Sequence, residues 1–106
     1  MHLILKVDDV HLVNDEIWLH PMFAGRPDEP PVPYAALPAG CLPMPTGLVP
    51  RGEAKIRRPD GITIPAKFYL KYLHVSAQPP YQGWMTVMIL RDVAMTTVKV
   101  GSEIWL

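Results

Sequence analysis

The densest apolar pattern lies at residues 84–106, WMTVMILRDVAMTTVKVGSEIWL, where two β-type runs, 84–90 and 98–106, flank a polar connection through Arg91, Asp92, Thr96 and Thr97. Short apolar runs of this composition, bounded by polar residues, predict a strand pair. Burial of Ile104, Trp105 and Leu106 would stabilise by about 1.5–3 kcal/mol each, which makes this stretch the expected centre of the core. Upstream, residues 2–7 form an apolar-rich run, Asp8-Asp9 a polar turn, and residues 10–13 a short second strand. Asn14-Asp15 is a turn signal, and residues 16–20 (EIWLH) predict a strand that Pro21 ends.

In the second half, Glu53, Lys55 and Arg57 alternate with Ala54 and Ile56, the period of a strand with one wet and one buried face. Arg58-Pro59-Asp60-Gly61 places Pro and Gly where a β-turn needs them, so 53–58 and 62–64 are expected to form a hairpin. Pro65 is expected to break the ladder. Residues 67–75 (KFYLKYLHV) are the longest strand candidate, with Phe68, Leu70 and Tyr72 on one face, and 76–83 (SAQPPYQG) reads as a loop. The sum is six or seven short strands with almost no helix, an all-β chain forming one small barrel domain over 1–106. Ile4, Ile56, Phe68, Ile89 and Ile104 are the expected core, with Trp18 and Trp105 at least half covered.

Two segments echo each other. LILKVDDVHLVNDEIWL, residues 3–19, aligns with MILRDVAMTTVKVGSEIWL, residues 88–106, across a two-residue gap, matching Ile4-Leu5-Lys6 to Ile89-Leu90-Arg91 and repeating EIWL. Either a strand-turn-strand unit is duplicated about a pseudo-twofold, or apolar β residues coincide by chance.

Residues 21–50 hold nine of the thirteen prolines, which excludes sheet or helix interior. They also hold Met22, Phe23, Tyr34, Leu37, Leu42 and Met44, too apolar a set for a solvated linker. The reading is a long proline-rich arm of polyproline character, with preset φ angles that lower the entropy lost on docking. Its apolar residues are expected to seek a surface beyond the barrel, and a twofold copy is the commonest one, so Phe23, Tyr34, Leu37 and Met44 are the candidate interface residues.

Composition narrows the class. One hundred and six residues make a single core, 49% of them are apolar, and no run reaches the roughly 18 apolar residues of a membrane helix. The start lacks the basic lead of a secretory signal, and a lone Cys41 forms no internal disulfide, so the expected location is cytoplasmic. Net charge is zero but unevenly spread: residues 1–50 carry six acids and two bases, residues 51–106 eight bases and four acids. Arg51, Lys55, Arg57, Arg58, Lys67 and Lys71 concentrate positive charge, with Tyr69 on the same strand face as Lys67 and Lys71. Basic residues interleaved with aromatics can bind single-stranded nucleic acid, although a solvated face needs no partner at all.

No catalytic, cofactor-binding or metal-ligating set stands out. His2, His11, His20 and His74 are too far apart in sequence to share a strand face or a helix turn as ligands. Cys41 has no nearby base, Ser76 and Ser102 lie outside any nucleophile elbow, and the seven glycines are scattered singly. The acid pairs Asp8-Asp9, Asp15-Glu16 and Asp28-Glu29 are sequence neighbours, which a strand would point to opposite faces.

Residues 85–95, MTVMILRDVAM, resemble the strand-turn run MTVxLIxPIAM in the C-terminal β-barrel of elongation factor Tu-type GTPases, and residues 53–69 are similar to the opening of that barrel. The resemblance implies a six-stranded barrel topology over the last half of the chain. The family's Gly-Gly-Arg turn and Gly-Tyr-Arg-Pro-Gln-Phe segment are absent, so no functional residue and no transfer-RNA contact is carried over. The functional expectation is a non-enzymatic binding or assembly module that self-associates as a homodimer or higher homo-oligomer, without cofactor or membrane. The rivals are a nucleic-acid-binding barrel using the basic 51–71 face and a small enzyme with an unrecognised site.

Overall fold

The computed structural model describes residues 1–78 and 81–106, and the surroundings of every side chain among them except those of 75–78 and 81–82. The chain is all-β. Among the described residues eight strands form one sheet: β1 (Leu3–Lys6), β2 (Asp9–Val13), β3 (Glu16–Ala24), β4 (Leu42–Pro43), β5 (Arg51–Arg57), β6 (Thr63–Gln78), β7 (Tyr81–Arg91) and β8 (Glu103–Trp105). Their order is β1-β8-β5-β6-β7-β3-β2, antiparallel along the whole path, with β4 added to β3 in parallel. No helix among the described residues is long and apolar enough to cross a membrane.

The path begins and ends on one bent chain segment, because β1 and β2 are separated only by Val7 and Asp8. Val7 N–H donates to the Ser102 carbonyl beside β8, while Asp8 N–H donates to the His20 carbonyl on β3. Adjacent amides therefore bond to opposite ends of the path, and the sheet curls into a barrel-like shape without leaving either amide unpaired.

Local chemistry sets the two tight hairpins. Asn14 (φ 48°) and Asp15 (φ 65°) both occupy the left-handed region, joining β2 to β3 with Val13 opposite Glu16, as a two-residue turn of the primed type requires. Between β5 and β6, Gly61 N–H donates to the Arg58 carbonyl and Arg58 N–H to the Ile62 carbonyl, with Gly61 at φ 87°. That is the expected hairpin, and Ile56 faces Ile64 across it.

Several expectations are corrected. The runs 84–90 and 98–106 do not pair with each other: β7 pairs with β6 and β3, whereas β8 pairs with β1 and β5. The intervening chain carries a 3-10 turn at Met95–Thr97 and buries Val98 without forming a strand there, so only Glu103–Trp105 enters the sheet. Pro21 does not end β3; the register with β7 shifts between Leu19 and Phe23, and that irregularity accommodates the residue that cannot donate. Pro65 sits inside β6 opposite Lys55, at a point where β7 has not yet joined the other edge. The 76–83 loop is also shorter than expected, since β6 reaches Gln78 and β7 starts at Tyr81; Pro79-Pro80 lies outside the described residues.

The internal echo has a structural counterpart. Leu5 opposes Ile104 and Lys6 opposes Glu103, while the aligned Leu90 opposes Ile17 and the aligned Arg91 reaches Glu16 with a 3.2 Å ion pair. The first strand of each copy thus pairs with the second strand of the other, in matching register. Reciprocal pairing of this kind is what a duplicated unit related by a pseudo-twofold produces.

The main core lies inside the curl and contains Leu5, Ile17, Leu19, Ile56, Phe68, Met88, Leu90 and Ile104. Ile4 is only partly buried, because the β1 register shifts between Leu3 and Leu5 and Leu5 takes the inner position. The arm is part of this body. Phe23 is fully buried, Leu48 is 6% exposed, and Leu42 and Met44 pack against the core from the side. Arg26 fastens the arm to the inner face of the β6–β7 hairpin, its guanidinium 4.8 Å from the Tyr72 ring centroid and 5.0 Å from that of Trp84, with Asp28 3.2 Å from Nε. Beside it the Thr86 hydroxyl donates to the Gly25 carbonyl at 2.7 Å, both groups buried. Phe23, Leu42, Met44 and Leu48 therefore complete the chain's own interior, contrary to the expectation that Phe23 and Met44 seek another surface, whereas Tyr34 stays exposed.

Candidate functional site

Strand register decides which side chains share the outer face. His11, Trp18, Ile89, Tyr69 and Arg51 stand in one transverse line across β2, β3, β7, β6 and β5, each opposite the next. The neighbouring line brings Val13 beside Glu16 and Arg91 beside Lys67 and Glu53, with the Glu16–Arg91 ion pair joining its two parts. Further along β5, Lys55 opposes Trp105 and Arg57 opposes Glu103.

The middle of this face is apolar. Ile89 and Val87 are fully buried, yet they stand outside the main core cluster, in register with the outward-facing Tyr69 and Lys71. Trp18 and Tyr69 flank Ile89, and a cation lies over each ring: Lys71 Nζ is 5.1 Å from the Trp18 centroid and the Arg91 guanidinium 4.5 Å from that of Tyr69. Ring quadrupoles attract such cations, so both long side chains spread across the apolar floor while their heads stay in water. The Trp18 Nε1–H is buried with no acceptor among the described residues, so no hydrogen bond fixes that ring.

A cleft of about 650 Å³ opens beside this cluster, lined by Arg51, Glu53, Lys67, Tyr69, Arg91 and Asp92 among others. It adjoins a hollow of about 330 Å³ reaching Pro65 and Val93 and sharing Glu53, Lys67, Arg91 and Asp92. On β5, β6 and β7 the outer face carries six cations (Arg51, Lys55, Arg57, Lys67, Lys71 and Arg91), with Glu16, Glu53, Glu103 and, at the cleft, Asp92 beside them. Among the described residues only Arg91 of the six has an acid within ion-pairing distance. The face therefore keeps a modest excess of positive charge, partly offset at the cleft by Glu53 and Asp92.

Five of the six residues expected to form a basic face fall on this surface. Arg58 does not belong with them: it sits at the β5–β6 turn, 3.1 Å from Asp60. Arg91 and Trp18 were not expected here, because they come from distant parts of the chain and join Lys67 and Tyr69 only through strand register. The expected interface residues separate. Phe23 is spent in the core, Met44 and Leu37 are partly buried, and Tyr34 is 86% exposed on a 3-10 turn, Tyr34–Ala36.

Other reactive groups do not assemble into a centre. His11 and His20 meet edge to face at 4.6 Å through the β2–β3 pairing, and His11 Nε2 lies 3.0 Å from Asp9 Oδ2. Burial, and secondarily the His11 charge, lowers the His20 pKa from its ordinary value against the opposing pull of Asp9 and Asp8. No three of His, Cys, Asp or Glu gather as metal ligands among the described residues. Cys41 is partly buried, which pushes its thiol pKa up and leaves less thiolate at neutral pH. No family model, curated protein or solved structure matches the chain.

Proposed function

We propose that the chain is a non-catalytic binding module that engages a negatively charged partner through the outer face of β5, β6 and β7. The observation that carries this reading is the cleft lined by Arg51, Lys67 and Arg91, where three cations meet the two acids Glu53 and Asp92 and no ion pair within the chain holds Arg51 or Lys67 among the described residues. Leaving like charges close together costs stability, and a polyanion converts that cost into binding free energy through charge pairing and counterion release. Retention on an immobilised polyanion at low salt, falling steeply as salt rises, is the expected result. Arg51→Glu with Lys67→Glu should abolish it without altering the fold. A wild-type chain that passes unretained at low salt would remove the proposal.

Self-association is a second reading, favoured by one observation: Tyr34 stands 86% exposed on a stretch, 33–36, that is exposed throughout, while Phe23, Leu42 and Met44 on either side are packed into the body. Tyrosine is a common interface anchor. Sedimentation at increasing concentration should show a dimer that Tyr34→Ala weakens; a monomer at high micromolar concentration would dispose of it.

A further inference from the structure

We infer that the partner of the outer face is a single-stranded nucleic acid whose bases stack on Trp18 and Tyr69. The inference rests on the polyanion reading above and narrows it. A surface that only attracts negative charge needs cations, and any spacing serves. This face has more: two aromatic rings on a common transverse line, separated by a fully buried isoleucine.

The spacing suits the purpose. Trp18 on β3 and Tyr69 on β6 both flank β7, so their strands are about 9–10 Å apart at ~4.7–4.9 Å per strand. Ile89 is already out of water between the rings, so the surface offered to a base is that of the rings themselves. Cations border the line on both sides, Lys71 on one and Lys67 with Arg91 on the other, and Arg51 closes its β5 end.

The present occupants of the rings explain how the face stays stable when empty. Lys71 and Arg91 sit over Trp18 and Tyr69, and the Arg91 side chain is 62% exposed. Lys71 is a solvated group on a flexible stem that can swing to a phosphate as a base takes its place, while Arg91 must first part from Glu16, 3.2 Å away, an exposed pair that costs little to break. The Trp18 indole keeps a buried Nε1–H without an acceptor among the described residues, a donor that a bound base or phosphate could satisfy only if the ring shifts. Stacking with backbone neutralisation is how single strands are held without sequence readout. A duplex, with its bases already stacked, offers only phosphates.

The test compares three ligands by fluorescence anisotropy competition at low salt: a twelve-residue oligothymidylate, the same sequence as a duplex with its complement, and inorganic polyphosphate of matched charge. The wild type should bind the single strand most tightly. Tyr69→Leu and Trp18→Leu should each weaken single-strand binding roughly 5- to 150-fold, the range found for loss of one stacked base, and leave polyphosphate affinity unchanged. Tyr69→Phe keeps the ring and should keep the affinity, which guards against a general loss of fold. Equal affinity for the single strand and polyphosphate, or equal loss for both on Tyr69→Leu, would overturn stacking while leaving the polyanion reading intact. Failure of all three ligands to bind would overturn both.

Discussion

Replacing Ile89 by Ala tests whether the outer face carries an apolar cluster of its own. The side chain is 0% exposed, stands between Trp18 and Tyr69, and lies outside the main core. Three carbons are removed, worth about 2.4 kcal/mol at ~0.8 kcal/mol each. A rigid surround would add a cavity cost and carry the total toward the ~5 kcal/mol seen at the upper end of such substitutions. Here the covering groups are two rings and two flexible cationic side chains at the surface, which can settle into the gap, so a loss of about 2–3 kcal/mol is expected. Leu90→Ala, pointing into the main core from the next position on β7, should cost more. Urea unfolding followed by circular dichroism measures both, provided the slope m stays unchanged. An Ile89→Ala loss within about 0.5 kcal/mol, the range of ordinary surface positions, would refute the buried cluster.

Three further outcomes follow from the geometry. A methyl group on Gly52 would meet Cε1 of the buried Phe68 ring at 3.3 Å, so Gly52→Ala should destabilise by about 1 kcal/mol net, overpacking outweighing the smaller entropic gain; a neutral result in chemical denaturation would show that the ring yields. Thr86→Val strands the buried Gly25 carbonyl and should cost about 1–3 kcal/mol, with Thr86→Ser losing less; equal losses would show that the hydrogen bond is not the cause. The His20 pKa is lowered in the folded state, so the unfolded chain binds the proton more readily: stability is full above the ordinary pKa of 6.5 and falls as the pH drops through it toward the lowered value. His20→Gln should flatten that decline in a series of unfolding midpoints, and an unchanged slope would assign it elsewhere.

The β5–β6 hairpin was legible in the sequence because three local signals agreed: Glu53, Lys55 and Arg57 alternate with buried neighbours, Pro59 presets a turn, and Gly61 supplies the positive φ. The partners of β8 were not legible. Three residues carry little pattern, and their place is settled by Leu5 and Ile56, which lie far away in sequence. Pro21 misled for a related reason, since a proline ends a strand only where its amide is needed, and the register shift in β3 removes that need. Phe23 misled because apolar letters do not reveal whether a core is already full. The basic half of the candidate site was visible as composition, whereas its aromatic line was not. Trp18, Tyr69 and Arg51 become neighbours only after β3, β7, β6 and β5 take their registers.

The claim that matters most is that the outer face, and no other surface, meets an anionic partner. Titration of the isotope-labelled chain with a short single-stranded oligonucleotide at low salt, read by amide and indole NMR shifts, tests it most directly. Shifts confined to Arg51, Lys67, Tyr69, Lys71, Arg91 and the Trp18 indole, reversed by added salt, are the predicted result. Shifts centred on Tyr34 and the arm, or a spectrum that does not change, would contradict it.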